Sequence, residues 1–223
     1  GQVGNEACEF MKAKALFFDS TSALLFVADY HNHRVQVIRP ARKGSLVLEF
    51  GTYGVGNGQL RFPAGVAVHP VSRHIFVCEW SNRRVQVFNE NGIYQYQFGS
   101  DQLSAPDRLC IDSKADEVYV TDQAKHRVLV FSTKGEFRRH FGSEGHKAGE
   151  FQSPRGIVLH PITGHIIVAD HGNHRLQVFD LAGTHLRSIS RNFSGPVGVC
   201  VHPDTGRAFV ADFQHRVHVL PYI

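Results

Sequence analysis

Acidic and basic side chains recur as pairs along the chain, and carboxylates beside cations are the groups that general acid–base catalysis uses. In the first four pairs the arginine follows the acid by five residues, and in the last pair by four. The pairs are Asp29 and Arg34, Glu79 and Arg84, Asp122 and Arg127, Asp170 and Arg175, and Asp212 and Arg216. Catalysis usually needs one asymmetric constellation, whereas repeated copies of a pair indicate a scaffold in which charge-assisted hydrogen bonds clamp a turn. We therefore predict structural pairs and no catalytic residues.

The 15 histidines raise the alternative of a metal site. Many of them fall at two repeated positions, and equivalent positions in different repeats converge only if they face a shared axis. The position before the arginine holds His33, His126, His174 and His215, and a second position holds His69, His160 and His202. No closed ligand spacing such as His-x-x-x-His on a helix is present. The sequence therefore predicts no metal and no cofactor.

Other residues have the chemistry of a binding surface. The position after each recurrent acid holds Tyr30, Trp80, Gln123, His171 and Phe213. Basic residues expected on the same rim are Lys14, Arg61, Arg83, Lys125, Lys147 and Arg155. Stacking surfaces ringed by cations suit single-stranded nucleic acid, although protein interfaces use the same groups. The alternative is that these aromatic rings pack on neighbouring turns and that the cations are merely solvated.

Four short strands per repeat are needed to position these groups. In the fourth repeat the strands are expected at 156–159, 165–169, 175–179 and 184–189, separated by Pro- and Gly-containing turns. The successive acids lie 50, 43, 48 and 42 residues apart, a period typical of propeller blades or solenoids. Four antiparallel strands per repeat favour an all-β propeller, with the innermost strand of each blade buried on both faces. The repeated units are expected near 14–38, 65–88, 108–131, 156–179 and 198–220.

The ends of the chain affect the expected ring. Outer strands are expected at 46–50, 94–98, 137–141 and 184–189. The fifth repeat is then expected to lack an outer strand. We expect one domain over 1–223 that forms a closed ring of five blades, with an incomplete blade at the seam and residues 216–220 as an edge strand. A longer parent chain would allow six blades. The edge opposite the binding rim carries Arg42, Lys43, Lys114, Lys134 and Arg207.

Composition adds mild constraints. A formal charge of +4 and a pI near 9.0 permit a polyanionic partner without requiring one. The four cysteines, Cys8, Cys78, Cys110 and Cys200, form no Cys-x-x-Cys pair, and Cys110 and Cys200 fill one repeated position in apolar strands. This usage indicates free, buried thiols and an intracellular, cytoplasmic setting. No apolar run approaches the roughly 18 residues of a membrane span, and no signal peptide opens the chain.

The run Asn173-His174-Arg175-Leu176, repeated nearly unchanged from Asn32 to Val35 and preceded by Phe-x-x-Pro-x-Gly, resembles the NHL repeat. The resemblance implies a propeller, usually of six blades, like those at the C-terminal end of tripartite-motif and Brat-like proteins. Such propellers bind RNA or proteins, and a smaller group are enzymes such as the amidating lyase. Arg83, Lys125-His126 and Asp107-Arg108 depart from the motif.

We therefore expect a non-catalytic binding platform for single-stranded RNA or a protein, within a larger regulatory or ubiquitin-ligase-type protein. The alternative is a propeller enzyme of lyase or lactonase type with a metal in its axial channel. The oligomeric state stays open.

Overall fold

The chain folds almost entirely into short antiparallel strands. In a computed structural model that describes residues 2–41 and 44–222, nineteen strands form five sheets. The first two sheets contain β1 Ala13–Asp19, β2 Leu24–Asp29, β3 Arg34–Arg39 and β4 Ser45–Phe50, and then β5 Pro63–Val68, β6 Ile75–Glu79, β7 Arg84–Phe88 and β8 Tyr94–Phe98. Arg42 and Lys43, expected on the edge opposite the binding rim, lie outside the described residues.

The remaining three sheets repeat this plan. The third and fourth sheets contain β9 Pro106–Asp112, β10 Glu117–Asp122, β11 Arg127–Ser132 and β12 Phe137–Phe141, and then β13 Pro154–Leu159, β14 Ile166–Asp170, β15 Arg175–Phe179 and β16 His185–Ile189. The fifth contains β17 Pro196–Val201, β18 Arg207–Asp212 and β19 Val217–Tyr222. Within each sheet, strands adjacent in sequence pair antiparallel. The predicted all-β fold of four-stranded blades is confirmed, and the fifth sheet has three strands among the described residues.

Helix is confined to two short 3-10 turns in the described chain, Tyr30–Asn32 and His171–Asn173. Each follows a recurrent acid, and His33 and His174 close these turns in the left-handed region at φ 56° and 53°. No helix among the described residues combines the length and apolar character that crossing a membrane requires.

The chain divides into two compact units, residues 1–106 (unit 1) and 107–223 (unit 2). In unit 1 one face of the first sheet packs on one face of the second. Phe26 and Val37 of the first sheet share a core with Val66, Ile75 and Val77 of the second. Side chains alternate between the two faces of a strand, so a strand whose sheet is covered on both sides carries apolar residues on both faces. Burial of these faces stabilises the unit.

Unit 2 contains two interfaces of the same kind. Tyr119 and Val130 of the third sheet pack against Ile166 of the fourth. On the opposite face of the fourth sheet, Ile167 and Leu176 pack against Val210 and Leu220 of the fifth. The fourth sheet is therefore covered on both sides within unit 2. The expectation of one domain over 1–223 stays a prediction.

Two expectations about burial are wrong. The innermost strand β5 is buried throughout, but in β1 Leu16 and Phe18 are 67% and 55% exposed. Cys200, expected inside, is exposed, and Cys110 is only partly buried. The sequence pattern of an apolar strand does not depend on whether another sheet covers it, which is why these positions were misplaced. All four cysteines are free thiols.

Candidate functional site

The turn after the second strand of a blade lies against the crossing that leads into that blade. The Trp80 amide donates to the carbonyl of Phe62 at 3.1 Å, and the Phe213 amide donates to the carbonyl of Ser194 at 2.9 Å. In the first and fourth sheets the bond starts one residue later in the turn, from the His31 amide to the carbonyl of Met11 at 3.0 Å and from the Gly172 amide to the carbonyl of Gln152 at 2.7 Å. The turns and the crossings therefore lie on the same rim of each unit, and the candidate binding residues belong to these two kinds of segment.

The recurrent acid lies beneath this rim. Asp170 is fully buried and accepts hydrogen bonds from the Gln152 amide at 2.7 Å and from Arg175 Nε at 2.8 Å. The side chains of Asn173 and Gln177 donate to it at 2.9 and 3.0 Å. A buried carboxylate with this many donors is fully satisfied, so it is a structural centre and has no free lone pair directed at a ligand.

The arginine and glutamine of the motif hold the crossing loop. The Nη atoms of Arg175 donate to the carbonyls of His146, Lys147 and Glu150 at 2.9, 2.7 and 2.8 Å. Gln177 donates to the same Glu150 carbonyl at 2.6 Å. The pairs Asp29–Arg34 and Glu79–Arg84 repeat this network, with Nε–carboxylate distances of 3.0 and 2.6 Å. Sequence reasoning identified the acid and the arginine but missed the glutamine, whose signal was its recurrence as Gln36, Gln86 and Gln177.

Asp122 and Arg127 face each other across the β10–β11 register, as Asp170 and Arg175 do across β14 and β15. The last pair differs from this pattern. At Asp212, the Nε of Arg216 is 3.7 Å away and the arginine side chain is half exposed. His218 bonds to Asp212 at 2.8 Å instead, and this hydrogen bond holds the pKa of the carboxyl well below its usual range. The shorter turn between Asp212 and Arg216 has therefore shifted the partner from arginine to histidine.

The repeated histidines have backbone partners. Nδ1 of His33 accepts a hydrogen bond from the Phe62 amide at 3.1 Å, in the crossing to the next sheet. His126 and His174 accept in the same way, from Ser153 and Gly195, both at 2.9 Å. His69, His160 and His202 accept amides of the turns that follow them. Within the described chain, no group of three or more His, Cys, Asp or Glu side chains could hold a metal ion.

A chain of aromatic rings crosses the rim of unit 1. The ring centroids of Tyr30 and Phe62 are 4.9 Å apart, those of Phe62 and His33 are 4.6 Å apart, and those of His33 and Tyr53 are 4.8 Å apart. Cations lie over its two ends, at distances typical of cation–π contacts. They are Lys14 and Lys12 over Tyr30 at 4.9 and 5.7 Å, and Arg61 over Tyr53 at 5.9 Å. We call these seven residues the unit 1 cluster.

Parts of the unit 1 cluster are open to solvent. Tyr53 is 61% exposed, and Tyr30 and Phe62 are half-buried. Trp80, which is 39% exposed, follows on the same rim, together with the exposed Arg83. Sequence reasoning found Lys14, Tyr30, Arg61, Trp80 and Arg83 but missed the residues that link them. Phe62 and Tyr53 could have been noticed in the sequence, because they are aromatic at two crossing positions where the later crossing has Ser153 and Glu144.

A smaller group forms on the rim of unit 2. The guanidinium of Arg155 lies 6.0 Å from the Phe213 ring, and the His171 ring lies 5.7 Å from Phe213. In the amide orientation that satisfies both groups, the Gln123 oxygen accepts from Arg155 Nε and Nη2 at 3.0 and 3.1 Å. Burial lowers the pKa of Arg155, and burial also lowers the pKa of His171. Lys125 and Lys147 are exposed on crossings and turns of this unit.

The two rims differ in their charge. At the position of Tyr53, unit 2 has Glu144, whose carboxylate lies 3.9 Å from His126. The Glu144 side chain is 69% exposed. In unit 1 the corresponding surface presents an aromatic ring beside Arg61, which forms no ion pair with any described residue. Unit 1 therefore offers the better combination of stacking surface and positive charge.

Meandering antiparallel sheets, three of which carry the same acid–arginine–glutamine network, define a β-propeller repeat protein. A family model described as a 6-bladed beta-propeller matches residues 102–210, and the NHL repeat model matches residues 60–88. These matches confirm the NHL-repeat resemblance and the propeller class. The NHL propeller is typically a module that binds proteins or RNA.

Two further similarities bear on the fold. The chain is 40% identical over 50 residues to "Protein brain tumor" of Drosophila melanogaster, a match that covers 22% of this chain and 5% of that protein. A chain in "Crystal structure of Nidogen/Laminin Complex" superposes with a TM-score of 0.76 at 16% identity, covering 94% of this chain and 75% of that one. The first relates a short part of the two sequences, and the second shows the fold alone.

Proposed function

We propose that this protein is a non-catalytic module that binds single-stranded RNA through the unit 1 cluster and the adjoining Trp80. The observation that carries the proposal is the aromatic series from Tyr30 to Tyr53 with cations over both ends. Aromatic faces stack on bases of any sequence, while lysine and arginine neutralise phosphates.

The scaffold supports this use by removing negative charge from the rim. Asp29 and Glu79 stand directly before Tyr30 and Trp80, yet both carboxylates are fully buried and paired with Arg34 and Arg84. The acids that would repel phosphates are thus neutralised below the surface. The basic groups above them are Lys12, Lys14, Arg61 and Arg83, which outnumber Glu6 and Glu9 of the first crossing and favour a positive local potential.

The test is fluorescence anisotropy of a labelled single-stranded RNA over several salt concentrations. Tyr53→Ala should weaken binding by about 1–3 kcal/mol through lost stacking and leave the salt dependence unchanged. Arg61→Ala should instead reduce the slope of log affinity against log salt by about 0.7, the value for one phosphate contact on a single strand.

Matched controls lie at the opposite edge of the blades. Val71→Ala removes a side chain that is 80% exposed in the turn after β5, and it should leave RNA affinity unchanged. Lys114→Ala, in the turn after β9, should leave the salt slope unchanged. If no RNA binds at low salt, or if the Tyr53 and Arg61 variants bind as the parent does, the surface serves a protein partner or none.

The wider setting is part of the same proposal. The NHL-repeat resemblance supports a recognition module of a larger regulatory protein of ubiquitin-ligase type, and the cysteine usage supports a cytoplasmic setting. Since the chain covers 5% of the fly relative, that protein's own activities are not transferred to it.

A further inference from the structure

Two buried aspartates stand at the same position of different repeats but have different partners. Asp19 is the last residue of β1 and Asp112 the last residue of β9, and each is 6% exposed. Each carboxylate accepts two backbone amides of the turn that follows it. The backbone surroundings of the two acids are therefore matched, and the difference between them lies in the side chains.

In unit 1, Asp19 also binds an arginine of the neighbouring sheet. Arg73, in the turn between β5 and β6, donates from Nη1 to Oδ1 of Asp19 at 3.3 Å and from Nη2 to Oδ2. The Ser22 hydroxyl donates to Oδ2 as well. A bidentate guanidinium–carboxylate pair is a strong, charge-assisted interaction, and this one joins the first sheet to the second.

In unit 2 neither of these side chains is present. Gly164 stands at the position of Arg73: both residues have positive φ, 70° and 62°, and each amide donates to the carbonyl of the histidine four residues earlier. Ala115 stands at the position of Ser22. The turn amides both bond to Oδ1 of Asp112, and Oδ2 has no hydrogen-bond partner among the described residues. Buried carboxylates are normally paired, so Asp112 lacks the partner that its position requires.

A cavity lies where this partner would be. It has a volume of about 540 Å³, and both Asp112 and Gly164 line it. A Cβ on Gly164 would have no atom within 4 Å, so the space beside this glycine is open. The apolar part of the lining includes Ile111, Leu159, Ile162 and Leu181. An apolar cavity of this size with one buried charged group is typical of a ligand site.

The charge of the site favours a cation. Arg138 and Arg139, on the outer strand of the third sheet, pair with Glu117 at 3.1 and 2.6 Å. Lys114 lines the cavity but is exposed, and it forms no ion pair with any residue that the structure describes. The carboxylate of Asp112 is therefore left for a positive group from outside the chain.

We propose that this cavity binds the arginine side chain of a partner polypeptide, whose guanidinium takes the place that the Arg73 guanidinium has in unit 1. The guanidinium donates to Asp112, and its methylene stem lies on the apolar lining. The repeat identifies the ligand, because the equivalent acid already holds an arginine. The site is separate from the unit 1 cluster and does not depend on RNA binding.

The probe is N-acetyl-arginine amide, titrated against the whole chain by isothermal calorimetry in the millimolar range. N-acetyl-citrulline amide, a neutral molecule of nearly the same shape, is the matched control and should not bind. Asp112→Asn keeps an acceptor for the turn amides but removes the charge, so it should weaken binding of the arginine probe about tenfold or more. Acetyl-Ala-Arg-Ala-amide should bind at least as well as the blocked arginine.

Two substitutions at Gly164 provide a second test. Gly164→Arg should recreate the pair of unit 1, fill the cavity and abolish binding of the probe, while raising the melting temperature above that of Gly164→Ala. Gly164→Ala carries the same cost of a side chain at positive φ, and it should still bind the probe. Lys114→Ala should tighten binding, because it removes a like charge from the lining.

The proposal is overturned if the parent protein does not bind the arginine probe, if it binds the citrulline probe equally well, or if Asp112→Asn or Gly164→Arg binds as the parent does. Weaker binding by Lys114→Ala would show that the cavity selects an anion. A tripeptide that fails where the blocked arginine binds would exclude a polypeptide partner. RNA affinity should be the same for Asp112→Asn as for the parent, which keeps these outcomes distinct from failure of the proposed function.

Discussion

Arg175→Ala tests whether the recurrent pair is structural. The arginine is 12% exposed, its Nε lies 2.8 Å from the fully buried Asp170, and its Nη atoms hold three crossing carbonyls. Arg216→Ala is the matched control. Arg216 stands at the same repeat position, but its side chain is 50% exposed and its Nε is 3.7 Å from Asp212.

The expected magnitudes follow from burial and geometry. Removing one member of a buried ion pair costs about 3–5 kcal/mol when the remaining charge has no other partner. Asp170 keeps donors from Gln152, Asn173 and Gln177, so we expect a loss of about 2–4 kcal/mol for Arg175→Ala. Arg216→Ala should cost about 0–1 kcal/mol, the range of exposed ion pairs. Arg175→Lys should recover only part of the loss, since an ammonium cannot reproduce the guanidinium fork.

Urea and thermal denaturation measure this difference. For a chain of this size, 2–4 kcal/mol corresponds to a decrease in melting temperature of roughly 5–15 °C. Equal losses for Arg175→Ala and Arg216→Ala would refute the argument from burial. An Arg175→Ala protein of native stability that had lost RNA binding would show that the pair belongs to the binding site instead.

Two further predictions concern packing and pH. A Cβ on Gly156 would lie 2.8 Å from the Val197 carbonyl oxygen, so Gly156→Ala should lower the unfolding free energy by about 1–3 kcal/mol. A Cβ on Gly198 would have its nearest atom at 3.8 Å, so Gly198→Ala should be nearly neutral in the same denaturation assay. Burial lowers the pKa of His33, and its Nδ1 must stay unprotonated to accept a hydrogen bond from the Phe62 amide. Below about pH 6.5 the unfolded chain therefore binds more protons than the folded chain. The free energy of unfolding should fall as the pH is lowered from 7 to 5. His33→Asn, which tolerates the left-handed conformation and retains an acceptor, should make that fall smaller, and an unchanged pH profile would contradict the assignment.

Much of the fold was predictable because the same order of apolar runs and turn residues recurs in each repeat. The expected outer strands at 94–98 and 137–141 coincide with β8 and β12, since alternating side chains and a closing glycine define both ends. The rim was predictable for the same reason. Tyr30 and Trp80 were identified by their position after a recurrent acid, which the turn geometry then placed beside the crossing.

The remainder depends on contacts between segments distant in sequence. The link from Tyr30 through Phe62 to Tyr53 joins a turn to two parts of a crossing, and no local pattern encodes it. Burial of an apolar strand depends equally on what covers it, so Phe18 and Val68 look alike in sequence although one is exposed and the other is buried.

The most direct measurement of the RNA-binding claim is photocrosslinking of a short single-stranded RNA to the protein, with the modified peptides mapped by mass spectrometry. Stacking on the unit 1 cluster predicts crosslinks at Tyr53, Tyr30 or Trp80, which weaken with Tyr53→Ala and persist with Val71→Ala. Crosslinks confined to the turns around Val71 and Lys114, at the opposite edge of the blades, would contradict the account.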